Sequence, residues 1–248
     1  MIEESKQVKP KVVGFIVAYK HANYLEKLYA SLPQGVFDSV IITNDESGDR
    51  IEKIAEQLGI PCYSHERLGY GGNVKYGLKK ALELGAEYMV EIHGDGQYDV
   101  NASVPALLKI KEGYDFVMGS RFFSWREPLR DHMPLSRFFA NIGLSAMARF
   151  VLRSNLTEFH NGFRVYSRSM MEKIKLDSSS NNFLFGFEII ALAQFNGLKI
   201  VEAPVKCFYS KEHTSISIFQ STIYAFQMTW VLAKYVLAKL GLKVKPFS

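Results

Sequence analysis

Cysteine is almost absent, with Cys62 and Cys207 the only two in 248 residues, far apart and in apolar surroundings. That scarcity excludes a disulfide framework and any zinc-ligand spacing, and it points to a reducing, cytosolic setting. No Pro/Gly/Ser-rich linker and no internal repeat interrupts the chain, so one domain is expected over residues 1–248. Within it, 1–10 reads as a tail, 11–217 as the core and 218–248 as a C-terminal helix and tail. Met1-Ile2-Glu3-Glu4-Ser5-Lys6 is polar, which rules out a secretory signal in that stretch. Helix-turn-helix, zinc-finger and RNP signatures are all missing, so nucleic acid is not an expected partner despite a net charge of +5 and a pI near 9.0. The positive balance favours nucleotide diphosphates or an anionic membrane surface instead. There is no G-x-x-x-x-G-K-[ST] phosphate loop. Val74 stands where a dinucleotide fingerprint needs its last glycine, which argues against a nicotinamide dehydrogenase.

What is present is hydrophobic patterning, with 48% of residues apolar, enough for a substantial core. The first half alternates strands at 11–18, 37–43, 61–64, 88–93 and 115–119 with helices at 23–31, 50–58, 72–84 and 102–110. Regular alternation of this kind predicts an α/β fold whose mostly parallel central sheet is flanked by helices. Ligands of such sheets bind beyond the carboxyl ends of the strands, here near Tyr19, Asp45, Asp95 and Ser120. The second half is less regular: helices at 135–153 and 187–195, extended segments at 163–167 and 200–205, and a final helix at 218–240. Ser178-Ser179-Ser180-Asn181-Asn182 reads as a flexible loop.

The most informative stretch is Glu91-Ile92-His93-Gly94-Asp95-Gly96-Gln97-Tyr98-Asp99, where an apolar strand ends in acid, amide and glycine. On an extended segment Asp95 and Gln97 project to one side and offer hard oxygen ligands suited to Mg²⁺ or Mn²⁺ shared with a substrate's phosphates. A polar turn accounts for the same composition. Leu68-Gly69-Tyr70-Gly71-Gly72-Asn73 opens a helix, so its backbone N–H groups would cradle phosphate, or it is simply a glycine-rich turn. Lys75, one turn further on, is compatible with either.

The order of these pieces resembles the inverting family-two glycosyltransferases of the GT-A fold, in particular the polyprenyl-phosphate sugar transferases of the dolichyl-phosphate mannose synthase type. The resemblance runs from about Lys11 to Ser217. The family's P-x-Y-N-E segment is reduced to the tyrosine of Val17-Ala18-Tyr19-Lys20-His21, and its D-D-G-S-x-D is similar to Asn44-Asp45-Glu46-Ser47-Gly48-Asp49. Its N-x-G-x-G-x-A helix opening looks like Arg67-Leu68-Gly69-Tyr70-Gly71-Gly72-Asn73. The metal motif D-x-D-x-Q appears as His93-Gly94-Asp95-Gly96-Gln97, with a histidine in place of the first aspartate. Gly119-Ser120-Arg121 keeps G-S-R, Glu158-Phe159-His160-Asn161-Gly162-Phe163-Arg164 resembles D-x-x-x-G-F-R, and Glu202-Ala203-Pro204 matches E-x-P. The C-terminal R-x-x-G-x-S-K is poorly matched by Lys211-Glu212-His213-Thr214-Ser215-Ile216-Ser217.

The resemblance implies a metal-dependent enzyme that moves a sugar from a UDP- or GDP-sugar to a polyprenyl phosphate, peripheral on the cytoplasmic face of a membrane. It implies a Mg²⁺ or Mn²⁺ ion at Asp95 and Gln97, with His213 a further candidate, and contacts to the nucleotide-sugar from Tyr19, Asp45, Gly71, Lys75, Gly94, Asp95 and Arg121. Asp95, Arg121, Glu158 and Arg164 are the implied catalytic residues, Arg121 as a clamp on the departing diphosphate. Arg137, His160, Arg164 and Lys211 would receive the acceptor phosphate, unless Arg164 instead pairs with Glu158. A phosphate monoester, with a second pKa of about 6, reaches the site already ionised. A hydroxyl acceptor, as in polysaccharide assembly, would need a general base such as Asp99, Glu158 or Glu188. A non-catalytic nucleotide-sugar-binding scaffold is the remaining alternative, motivated by His93 and the altered Tyr19-Lys20-His21.

In the final helix, Gln220, Gln227 and Lys234 recur every seven residues and share a face, drifting by about 20° per step. Ile223, Phe226, Trp230, Val231, Val236 and Leu237 cover much of the remainder. Lys234 and Lys239 make it a poor membrane span. It fits a helix lying in the membrane interface, or one packed on the domain, on a second copy or on a membrane subunit.

Overall fold

The computed structural model describes residues 11–209 and 218–248. Its elements are β1 (Val12–Ala18), α1 (Ala22–Ala30), β2 (Ser39–Asp45), α2 (Ile51–Leu58), β3 (Cys62–His65), α3 (Tyr70–Glu83) and β4 (Tyr88–His93). They continue with α4 (Ser103–Lys111), β5 (Phe116–Ser120), α5 (Glu127–Arg130), α6 (Leu135–Leu152), β6 (Arg164–Ser167), α7 (Arg168–Lys173), α8 (Phe185–Phe195), β7 (Ile200–Pro204) and α9 (Ile218–Lys239). The strands form one sheet in the order β3-β2-β1-β4-β6-β5-β7.

The expected α/β class and mostly parallel sheet are what the chain forms. β1 is buried along its whole length. Its alternate residues Val13, Phe15 and Val17 face one layer of core, and Val12, Ile16 and Ala18 face the other. The first layer is closed by α3, α6, α8 and α9, the second by α1, α2 and α4. α8 is buried on nearly every side, as an apolar helix at the centre of a layer must be.

The patterning did not anticipate the antiparallel β6, which is inserted between β4 and β5. Apolar periodicity records which face of a strand is buried but not its direction. This insertion sets Glu91 of β4 directly opposite Arg164 of β6, which matters below. The short helices α5 and α7 and a single 3₁₀ turn at Val100–Ala102 were likewise not foreseen, because pieces this short carry little periodicity.

Candidate active site

The first correction concerns the acidic motif itself. β4 stops at His93, and residues 94–97 form a turn rather than a continued extended segment. The Gly94 N–H donates to Val17 O at 3.0 Å, tying the turn to the end of β1. A Cβ on Gly94 would lie 2.8 Å from that same oxygen. Gly96 has φ +66° and its N–H donates back to His93 O, a conformation that favours glycine. Asp95 Oδ1 then accepts the Gln97 N–H at 3.0 Å. From the other side, Gln97 O accepts the Phe208 N–H at 2.8 Å, and the Asp99 N–H donates to Lys206 O. The turn is thus pinned by β1 and by the segment following β7. Asp95 remains half-buried, and its second oxygen has no partner among the described residues.

That free oxygen is the observation that fits a divalent ion. Among the described residues no three His, Cys, Asp or Glu side chains converge. The residues present therefore suit an ion held by one carboxylate and completed by substrate phosphates and water, the usual habit of Mg²⁺. Gln97 is half-buried beside Asp95, whereas His213, the further candidate, lies outside the described residues. His93 turns away from Asp95: its Nε2 lies 3.2 Å from Glu91 Oε1, and its ring packs edge-on against Tyr98. Gly162 makes room for it, since a Cβ there would come within 2.4 Å of His93 Nε2.

Beneath the turn lies a network that sequence reasoning missed. Glu91 is fully buried and accepts from the Tyr70 hydroxyl at 2.6 Å and from the Tyr166 hydroxyl, with Arg164 Nη1 3.6 Å away. Arg164 Nη2 also donates to Asn161 O and Gly186 O. Burial opposes the charge on Glu91, but Arg164, with His93 and Tyr166, holds its carboxyl below the usual range. The signal was a glutamate inside an otherwise apolar strand, because a charge there must be paired.

This pairing corrects two expectations. Arg164 does not pair with Glu158, and it is buried rather than open to an acceptor phosphate. Glu158 instead pairs with Arg121. The Arg121 Nε donates to Glu158 Oε1 and its backbone N–H to Oε2, each at 2.8 Å, while Nη2 also donates to Oε1. Nη1 donates to the Tyr209 hydroxyl at 2.6 Å. Burial works against the Arg121 charge, yet Glu158 outweighs it and pushes the guanidinium above its ordinary value. Arg121 is therefore not an exposed diphosphate clamp, and Glu158 has no free oxygen with which to act as a base. Glu202 of the E-x-P element accepts from the Thr157 and Glu158 N–H groups, holding that segment in place.

The expected phosphate cradle at the start of α3 is closed. The Gly72 N–H donates to Asn181 O at 3.2 Å, and a Cβ on Gly71 would meet Phe185 Cβ at 2.5 Å and Ser180 O at 2.7 Å. Gly71 is glycine because residues 180–185 press on it. Lys75 Nζ donates to Ser179 O, and burial lowers its pKa. Glu188 is buried, and its Oε2 accepts the Ser180 N–H at 2.6 Å, which ties it to the 178–182 segment. The 178–182 segment, expected to be flexible, is thereby tied at both ends. Asp99, the last base candidate, caps the 3₁₀ turn by accepting the Asn101 N–H.

At the ends of β1 and β2, Asp45 is buried and accepts from the Leu68 N–H at 2.6 Å and the Gly69 N–H at 3.0 Å. Arg67 Nε lies 3.2 Å from Asp45 Oδ2, the oxygen that also accepts the Gly69 N–H, and the same guanidinium sits 3.3 Å above the Tyr19 ring. Asp45 is thus committed to the 67–69 loop instead of being open to a base or ribose. Arg67, which sequence reasoning missed, is the group it positions over Tyr19. Hydrogen bonding by Arg67 and Lys20 lowers the Tyr19 pKa.

On the opposite flank, His160 Nδ1 lies 3.1 Å from the Tyr224 hydroxyl of α9. Burial depresses its pKa from 6.5 to about 4, so it is neutral at physiological pH and unsuited to binding phosphate as a cation. The unfolded chain then binds the proton more readily, so stability is complete above about pH 6.5 and is lost as pH falls toward 4. The expected loss over that window is about 3 kcal/mol, read from urea unfolding at each pH, and His160→Gln should flatten the profile. Arg137 lies half-buried in the first turn of α6, and Lys211 is outside the described residues.

A mostly parallel sheet with an acidic turn beyond a central strand is the GT-A arrangement of glycosyltransferases. The model of the Glycosyl transferase family 2 matches residues 15–175, and the chain belongs to that family. It is 27% identical over 223 residues to the UDP-N-acetylglucosamine–dolichyl-phosphate N-acetylglucosaminyltransferase of Methanococcus voltae, covering 81% of this chain and 87% of that protein. It is 30% identical over 203 residues to the undecaprenyl-phosphate mannosyltransferase of Micrococcus luteus, covering 79% and 82%. The fold also matches glucosyl-3-phosphoglycerate synthase from Mycobacterium tuberculosis, solved with Mn²⁺, uridine diphosphate and phosphoglyceric acid. That match has a TM-score of 0.67 at 13% identity and covers 95% of this chain and 80% of that one.

Proposed function

We propose that this glycosyltransferase moves a sugar from a UDP- or GDP-sugar to a polyprenyl phosphate, with Mg²⁺ or Mn²⁺ held at Asp95. The carrying observation is a free Asp95 oxygen beside a Glu158 whose two oxygens are both taken up by Arg121. A hydroxyl nucleophile must lose its proton to a base. Glu158 is already engaged through both oxygens by Arg121, so an acceptor that arrives ionised suits the site better. The two relatives named for transfer to dolichyl phosphate and undecaprenyl phosphate support the same acceptor class, and the uridine diphosphate and Mn²⁺ of the solved neighbour fit the donor side.

In this reading an oxygen of the acceptor phosphate attacks the anomeric carbon opposite the leaving group. The new carbon–oxygen bond forms as the bond to the nucleoside diphosphate breaks, and the electron pair leaves on the diphosphate. A divalent ion supplies charge neutralisation for that leaving group, and Asp95, with Gln97 beside it, would hold it. Tyr19 and Arg67 would receive the base, Arg67 being oriented by Asp45. Glu91, Tyr70 and Arg164 keep the end of β4 rigid beneath the turn. Arg137 and Lys211 remain as groups for the acceptor phosphate. In this reading the chain would work as a peripheral protein at the cytoplasmic face of a membrane, and no helix of the described residues is long and apolar enough to cross one.

The test incubates the purified chain and Mn²⁺ or Mg²⁺ with labelled UDP- and GDP-sugars and a polyprenyl phosphate. Metal-dependent passage of label into the organic phase is the expected result. Donor hydrolysis without lipid product would favour a hydroxyl acceptor, and a lack of both turnover and donor binding would favour the scaffold.

A further inference from the structure

The inward stripe of α9 opens on a side chain that packing alone does not explain. Met228, Val231, Leu232 and Tyr235 are buried in the layer shared with α6 and α8, and Tyr224 lies on the same face one turn earlier. Its hydroxyl reaches out of that apolar layer to His160 Nδ1 at 3.1 Å, and the two rings meet edge-on with centroids 5.7 Å apart. The other imidazole nitrogen, Nε2, is buried without a hydrogen-bond partner. Among the described residues, the Tyr224 hydroxyl is therefore the one polar group that holds this ring. A phenylalanine at 224 would fill the same space, so the hydroxyl answers to His160 and not to the core.

His160 stands in the middle of a segment on which the site depends. Before it, Glu158 engages Arg121; after it, Gly162 leaves room for His93 beneath the Asp95 turn. Glu202 ties the start of the segment through the Thr157 and Glu158 N–H groups, and the Gly162 N–H donates to the Tyr98 hydroxyl near its end. Between these ties Phe159 packs on Phe187 of α8, with 6.2 Å between ring centroids, and His160 turns to α9. We propose that Tyr224 is a positioning residue for sugar transfer: by holding His160 it fixes residues 157–163, and with them Arg121 and the floor of the Asp95 turn. α9 is then a working part of the catalytic unit. Without the hydroxyl both imidazole nitrogens would be left unpartnered, and the ring would move toward water and pull the segment with it. The inference rests on the transfer reading for its effect on rate, but the order of residues 157–163 is measured without donor or acceptor, so each can fail alone.

The experiment compares the full chain with Tyr224→Phe, and with Tyr224→Phe combined with His160→Phe, by amide hydrogen exchange and by transfer kinetics. Tyr224→Phe is expected to speed exchange across residues 157–163 while β1 and β2 exchange as in the parent. Its kcat should fall by about tenfold or more. The donor KM should change little, because Tyr19 and Arg67 lie on the β1–β3 side of the sheet, beyond β4. Melting should drop by no more than about 3 °C. In the double variant two apolar rings meet and no polar group is left bare, so exchange protection and kcat should both recover. The proposal is overturned if exchange across 157–163 is unchanged, if an active parent loses no kcat on Tyr224→Phe, or if the double variant is no better than the single one. A parent that transfers nothing to polyprenyl phosphate sinks the acceptor reading alone, and exchange still decides the role of Tyr224.

Discussion

Asp95→Ala is expected to reduce sugar transfer on the order of a thousandfold while leaving the protein folded. The size follows from the role: nothing else in the described turn offers a carboxylate to an ion that must offset charge building on a departing diphosphate. The fold should tolerate the change because Asp95 makes one local hydrogen bond, to the Gln97 N–H, and is only half-buried. An effect on unfolding free energy within about 1 kcal/mol is therefore expected. Asp95→Asn should retain the turn but bind metal more weakly, so its transfer should need more Mn²⁺ to saturate. The measurement is transfer of label from the donor as a function of metal concentration, beside a urea titration. Activity within a few-fold of the parent in Asp95→Ala would remove the metal from this position.

Glu158→Gln is expected to behave in the opposite way, with the damage falling on stability. Glu158 and Arg121 are both buried, and the carboxylate meets the guanidinium and the Arg121 backbone N–H together. Removing one charge leaves the other buried and uncompensated, which costs about 3–5 kcal/mol. For a chain of this size that is a fall in melting temperature of roughly 10 °C. Arg121→Met combined with Glu158→Leu should recover much of the loss, because an apolar pair carries no unpaired charge. Thermal unfolding of the parent and the two variants decides the matter. An unchanged melting temperature with abolished transfer would show that Glu158 is a base after all and would bring back the hydroxyl acceptor.

Much of the layout was legible in the residues. The final helix was expected at 218–240 and runs Ile218–Lys239, because a long stretch at helical spacing leaves little ambiguity. β1 and β4 were legible because buried parallel strands read as short apolar runs bounded by turn signals. The acidic turn at the end of β4 was found from composition, although its backbone was misjudged. Asp, Gly and Gln in that order allow an extended segment or a turn, and the choice is made by Val17 O and the Phe208 N–H, which are distant in the chain.

The same limit explains the misassigned charges. Arg121, Arg164 and Glu188 sit at strand and helix ends and Glu158 in the loop between α6 and β6, places where either a substrate or another buried charge can be the partner. Only the insertion of antiparallel β6, which places Arg164 opposite Glu91, leaves Glu158 to Arg121. Gly71 looked like a phosphate cradle because a glycine that admits a ligand and one that admits a neighbouring loop have the same local signature. The sequence by itself determined the fold class, the strand end that carries Asp95 and the apolar character of α9, since these rest on periodicity and composition within a few turns of chain. The tertiary structure alone decided which charges are spent on one another and which remain for a substrate, because desolvation and pairing depend on neighbours that chain order does not encode.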